Sequence, residues 1–209
     1  MPTLLHEKCY GFLDGKTVCG VDEVGRAPLA GPVTAAAVIL PLQLPRAVRR
    51  EIRDSKQMTT AQREALFEPL TRLCRYCVAE ANVEEITQLN IFWASMLAMK
   101  RAIEGLGTAI DMALIDGNKV PKPLACQAIA IVAGDDKSLS IAAASIIAKV
   151  TRDRFMKKLA EAHPGYGWER NVGYPTAEHR QALKRLGPTP WHRPGFAPVA
   201  QQLEFDMAS

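Results

Sequence analysis

Three short apolar runs in this chain lead into acidic side chains, and that pairing constrains its fold more than any other feature. Thr17–Asp22 (TVCGVD) continues into Glu23, Met112–Ile115 (MALI) into Asp116, and Ala128–Val132 (AIAIV) is followed, across Ala133 and Gly134, by Asp135 and Asp136. Apolar runs of about four to eight residues, bounded by turn residues, are the mark of strands buried on both faces. Val33–Leu40 (VTAAAVIL) is a fourth such run, and Arg75–Val83 alternates enough to be a fifth strand. All are far too short to cross a bilayer.

Helical segments lie between the strands. Thr59 and Gln62 have the spacing of a capping box, opening a helix expected to reach about Cys74, with Pro69 expected to kink or interrupt it. Ile91–Leu106 is a second helix, with Gly105 and Gly107 as stop signals. Ser140–Glu161 is a third, Ala-rich first and basic later, and Ala177–Leu186 a fourth within a stretch rich in Gly, Pro and aromatic residues. Alternating strands and helices predict an α/β architecture, a central mixed five-stranded sheet flanked by helices on both faces. The 209 residues are read as a single domain, with a core over about 17–162 and a C-terminal helical and loop extension over about 163–209.

A chain that is 48% hydrophobic and 23% charged is neither disordered nor collagen-like. Its N-terminal residues lack an apolar stretch before a small-residue cleavage site, so no secretory leader is expected. Five cysteines, an odd number, suit the reducing cytoplasm better than a disulfide framework. Cys74-x-x-Cys77 lacks a second pair at zinc spacing. Charge is segregated: residues 46–75 carry eight basic and four acidic side chains, residues 146–209 ten and six, but residues 76–145 only five against eight. Basic stretches around an acidic middle suit an anionic polymer lying beside a metal site, solvated helix faces being the plain alternative.

Asp22 and Glu23 end a strand and are followed by Gly25, Arg26 and Ala27. Strand neighbours point to opposite faces, so both acids reach one site only if the backbone twists or bulges, which Gly20 and Gly25 would permit. Asp116 and Asp135 stand beyond the carboxyl ends of two other strands, where α/β sheets gather ligands. Four carboxylates in one pocket repel one another unless divalent cations neutralise them, and an all-oxygen donor set suits Mg²⁺ or Mn²⁺. Two such ions favour in-line phosphodiester hydrolysis.

Six motifs in order carry a resemblance: Gly20-Val21-Asp22-Glu23-Val24-Gly25-Arg26, Asp54-Ser55-Lys56, Ile115-Asp116-Gly117-Asn118, Gly134-Asp135, Ser140–Asp153, and Gly173-Tyr174-Pro175-Thr176. Together, over about residues 17–199, the chain resembles the type 2 ribonucleases H, the bacterial ribonuclease HII family. The resemblance implies a ribonuclease H-like fold with Asp22, Glu23, Asp116 and Asp135 as catalytic, metal-binding carboxylates holding two Mn²⁺ or Mg²⁺ ions. It implies an endoribonuclease acting on RNA–DNA hybrids and on single ribonucleotides in duplex DNA. The cut would fall 5′ of the ribonucleotide, leaving a 3′-hydroxyl and a 5′-phosphate. Gly25, Arg26, Ala27 and Tyr174 match the elements that sense the 2′-hydroxyl and the RNA-to-DNA junction, the 2′-hydroxyl being what distinguishes the two nucleic acids at a site. Ser55 and Lys56 belong to a matching motif. Lys56, Lys149, Arg152 and Arg193 are candidate phosphate contacts, with Lys149 and Arg152 three residues apart on one helix. A monomer without membrane attachment is expected.

The chain departs from the family pattern at several positions. Ala27 replaces the usual glycine, which would cost about 1–2 kcal/mol if that position needs a positive φ and would weaken cleavage at a lone ribonucleotide. Ala133 and Val172 stand where lysine is frequent, and Pro194-Gly195 where Arg-Ser is usual. Two rival readings stay open: a noncatalytic nucleic-acid-binding variant of the same fold, and a metal-independent glycoside hydrolase working through its carboxylates. Trp93 and Met96 are read as core, Trp168 and Trp191 as loop residues that either touch nucleic acid or pack against the C-terminal helix, and His163, His179 and His192 as capping or surface residues.

Overall fold

A computed structural model describes residues 1–208. Five strands, β1 (Val18–Val24), β2 (Val33–Ile39), β3 (Arg75–Ala81), β4 (Met112–Asp116) and β5 (Gln127–Ile131), form one mixed sheet in the order β3-β2-β1-β4-β5. The β1–β2 and β2–β3 pairs are antiparallel, whereas β1–β4 and β4–β5 are parallel. Eight helices accompany them: α1 (Leu5–Cys9), α2 (Arg46–Glu51), α3 (Thr60–Leu73), α4 (Val83–Glu104), α5 (Leu139–Ala162), α6 (Trp168–Asn171), α7 (Ala177–Leu186) and α8 (Ala197–Ala208). Among the described residues no helix is long and apolar enough to cross a membrane.

The alternating side chains of the central strands feed two cores. Val18, Ala36, Val38 and Leu114 pack with Ile141, Ile146 and Ile147 of α5 and Leu66 and Leu70 of α3. Cys19, Val21, Ala35, Ala37 and Ile115 pack on the opposite face with Ala94, Ala98, Met99 and Ala102 of α4. Helix α5 lies so close to β1 that a Cβ at Gly20 would sit 2.2 Å from the Ser140 carbonyl carbon and 2.3 Å from the Ile141 nitrogen. Glycine at position 20 therefore serves helix packing. Of the twist or bulge that would bring Asp22 and Glu23 to one site, β1 shows no bulge, since it keeps an unbroken register on β2 from Gly20–Val38 to Val24–Thr34.

Local signals set several boundaries. Gln62 N–H donates to Thr59 Oγ1 at 3.2 Å and Thr59 N–H to Gln62 Oε1 at 2.9 Å, the capping box that opens α3. The helix runs through Pro69 uninterrupted; buried Leu66 and Leu70 on either side hold it against α5, offsetting the backbone bond that proline forgoes. Helix α4 begins earlier than Ile91, at a second capping box between Asn82 and Glu85. Asn90 (φ 63°, ψ 166°) then breaks it, and its Oδ1 accepts from the Phe92 and Trp93 amides to start the segment legible in the sequence.

Three side chains, Trp93, His179 and His192, lie elsewhere than expected. Trp93 is 58% exposed, because the restart at Asn90 turns it away from the sheet, although Met96 is in the core. Trp168 takes the packing alternative: it is completely buried, in one cluster with Ala182 of α7. His179 and His192 are buried beside it, their ring nitrogens consumed by internal hydrogen bonds.

Candidate metal centre

Parallel pairing brings the acids together. The β1–β4 register ends at Val21–Ile115, so Asp22 and Asp116 each project one residue past the last pair. Asp135 sits in a 3-10 turn, Gly134–Asp136, between β5 and α5. Carboxylate oxygens of Asp22, Asp116 and Asp135 lie within 4.8 Å of one another. Each is held: Glu23 N–H donates to Asp22 Oδ1 at 2.7 Å, Gly134 N–H donates to Asp116 Oδ1 at 2.7 Å, and Lys56 Nζ donates to Asp135 Oδ2 at 3.0 Å.

Glu23 is outside that triad but opens on the same cleft, which Asp22, Ser55, Lys56, Ser145, Lys149 and Tyr174 also line. Burial, then the charges of Glu23 and Asp116, push the Asp22 carboxyl well above the ordinary range. Burial raises Glu23 to about 7, Arg26 opposing and Asp116 adding to the rise. Burial and the nearby Asp135 raise Asp116. The centre is thus short of positive charge, and its donors are all oxygen. That fits hard divalent cations.

The remaining candidates divide. Lys56 and Lys149 reach the cleft; Lys149 Nζ pairs with Asp153 at 2.7 Å and stands 5.8 Å from the Tyr174 ring centre. Arg26 is half-exposed, 3.5 Å from Glu23 Oε1 and over the Phe92 ring. Ser55 is buried, its hydroxyl 2.7 Å from that of Ser145, which lines the cleft beside Asp22. Ser145 had a legible signal that the sequence reading passed over: a hydroxyl within the otherwise apolar run IAAASIIA.

Arg152 and Arg193 are corrections, since both are completely buried and neither can meet a phosphate. Arg193 donates to the carbonyls of Gly25, Arg26, Pro28, Gly31 and Pro32 at 2.6–3.1 Å. Arg152 donates at 3.0 Å to Ala30, Pro32 and Val172. The segment between β1 and β2 forms only an isolated bridge, Ala30 with His192, and its other buried carbonyls must find donors elsewhere. The two guanidinium groups supply them, building the Gly25-Arg26-Ala27 turn from below.

Gly25 (φ +93°) is irreplaceable there, because a Cβ would lie 2.3 Å from Arg152 Nε. Ala27 is different. It is exposed and is not among the positive-φ residues, so the backbone strain considered for it does not arise. Ala133 (φ 53°) and Val172 (φ 44°) are the departures that do occupy left-handed backbone.

The family model for ribonuclease HII matches residues 19–199. A ribonuclease HII from Paramagnetospirillum magneticum is 54% identical over 98% of this chain and 100% of that protein. One from Ruegeria pomeroyi is 57% identical over 87% of this chain and 76% of its own length. Among solved structures, ribonuclease H2 from Pyrococcus horikoshii superposes with a TM-score of 0.77 at 27% identity, over 92% of this chain and all of that one.

Proposed function

This chain belongs to the ribonuclease HII family, and from that premise we propose that it is an endoribonuclease that hydrolyses the RNA strand of RNA–DNA hybrids and cuts 5′ of single ribonucleotides in duplex DNA. The observation that carries the reading is the triad of aspartate oxygens within 4.8 Å, with Glu23 beside it. Asp22, Asp116, Asp135 and Glu23 would hold two Mg²⁺ or Mn²⁺ ions. The chemistry such ions supply is stabilisation of the attacking and leaving oxygens in an in-line displacement at phosphorus.

The protein's own contribution is placement. Lys56 and Lys149, which both line the cleft, attract the phosphodiester backbone, a contact that salt would weaken. The Gly25-Arg26-Ala27 turn, braced by Arg193, presents backbone to a ribose 2′-hydroxyl. Tyr174 offers a ring at the cleft mouth for the following sugar. A reducing cytoplasmic setting belongs to the same reading, supported by five cysteines that are all free thiols.

A labelled DNA duplex carrying one ribonucleotide, incubated with Mn²⁺, tests it. Incision immediately 5′ of the ribonucleotide, leaving a 3′-hydroxyl and abolished by EDTA, is the expected outcome. Binding without incision would favour a noncatalytic role, and metal-independent hydrolysis of a glycoside would favour the carboxylate alternative.

A further inference from the structure

Tyr174 follows two successive left-handed residues, Val172 (φ 44°) and Gly173 (φ +88°). A β-branched residue there is disfavoured, so the position of Tyr174 is not set by local preference. It is imposed by neighbours. Arg152 holds the Val172 carbonyl, Asn171 Oδ1 accepts from Gly173 N–H at 2.9 Å, and the Tyr174 carbonyl accepts from Thr176 N–H at 2.8 Å. That carbonyl also lies 2.9 Å from His179 Nδ1.

Donor and acceptor logic assigns both buried histidine tautomers. Thr189 N–H donates to His192 Nδ1 at 2.9 Å, so neutral His192 carries its proton on Nε2. That nitrogen lies 3.1 Å from His179 Nε2, which also accepts the Trp168 indole N–H at 3.0 Å. His179 Nε2 therefore bears no proton, and the His179 proton is on Nδ1, aimed at the Tyr174 carbonyl. The polarity runs one way, from Thr189 through His192 and His179 to Tyr174.

We propose that His179 is a positioning residue: its Nδ1–H, forced by the donors of Trp168 and His192, clamps the Tyr174 backbone and so sets where the Tyr174 ring stands over the carboxylate cleft. The proposal rests on the reading of Tyr174 as a substrate contact. His179 is completely buried and lies outside the cleft, so it acts only through Tyr174. Tyr166 and Trp168, stacked with ring centres 5.0 Å apart, pack against both histidines.

The test compares Tyr174→Ala, His179→Leu and His179→Asn with the parent, recording kcat and KM on a duplex with one ribonucleotide and on a continuous hybrid. Tyr174→Ala should depress the single-ribonucleotide substrate relative to the hybrid, and His179→Leu should shift the same ratio in the same direction by about tenfold. His179→Asn, whose amide can still donate from near the Nδ1 position, should recover most of the ratio even with a lowered Tm. A His179→Leu protein with parental Mn²⁺ affinity and a ratio within about twofold of the parent overturns the proposal. A ratio unmoved by Tyr174→Ala instead overturns the reading beneath it, and the proposal with it. On the unaltered protein, ring ¹⁵N NMR at neutral pH should find the proton of His179 on Nδ1; finding it on Nε2 refutes the clamp independently of any variant.

Discussion

Lys56 Nζ lies 3.0 Å from Asp135 Oδ2, so the aspartate triad has a protein cation leaning into it from a largely exposed side chain. The ammonium offsets part of the repulsion among Asp22, Asp116 and Asp135, and it competes with a dication for the same oxygen. Lys56→Ala should therefore tighten Mn²⁺ binding by about two- to fivefold, a small effect because the lysine is solvent-screened. It should at the same time weaken binding of the nucleic-acid backbone. Calorimetric titration with Mn²⁺ alone separates the two effects, and equal or weaker metal affinity would contradict this account.

Asp22 is buried among like charges, a cost tolerated for what the site does. Asp22→Asn removes the charge and keeps the shape. In EDTA the variant should be more stable than the parent by about 1–3 kcal/mol, while cleavage falls roughly a thousandfold or more. Thermal melts with and without Mn²⁺ check it. The expected signature is a raised Tm in EDTA and loss of the Mn²⁺-induced stabilisation; a variant less stable in EDTA would mean that Asp22 is not under repulsion.

Glu23 gives a pH dependence with a definite sign. Its carboxyl is raised from 4.5 to about 7, so the metal-free fold prefers it protonated. That preference is fully present below about pH 4.5 and is lost as pH rises through about 7. Mn²⁺ needs the carboxylate, so binding at pH 6 should expel about one proton more than binding at pH 8.5. Calorimetry in two buffers of different ionisation enthalpy counts those protons. Glu23→Gln should shrink the difference, leaving what the raised Asp22 and Asp116 contribute, and a proton count that the variant does not lower would exclude this role.

Ala27 and Ala133 should respond oppositely to glycine. Ala27 lies outside the positive-φ set, so Ala27→Gly only loosens the unfolded chain, costing about 0.5–1 kcal/mol with no gain at a lone ribonucleotide. Ala133 is exposed with φ 53°, so Ala133→Gly relieves strain and should stabilise by roughly the same amount. Paired urea melts decide it. Shifts of the same sign at both positions would show that backbone φ is not what governs them.

Much of the site was legible in the sequence because its signals are local. An apolar run that stops at an acid places that acid near a strand end, late in β1 for Asp22, last in β4 for Asp116 and in the turn after β5 for Asp135, and the motif order supplied Glu23, Lys56 and Tyr174. The roles assigned to Arg152 and Arg193 were not legible. An arginine in a basic helix or a loop reads as a surface charge, and only the distant carbonyls of residues 25–32 show that it is an internal donor. The pairing of His179 with His192 was hidden for the same reason.

The amino-acid order by itself determined where the five strands and helices α3, α5 and α7 form, the capping box at Thr59, and which acids lie at or near strand ends. These depend on side-chain periodicity and on neighbours within a few residues. Tertiary structure alone decided that β1 and β4 lie parallel and adjacent, that α5 presses on Gly20, that Trp93 faces solvent, and that two arginines and two histidines turn inward. Those outcomes arise from contacts between segments far apart along the chain, where burial obliges each polar atom to take whatever partner the packing brings within reach.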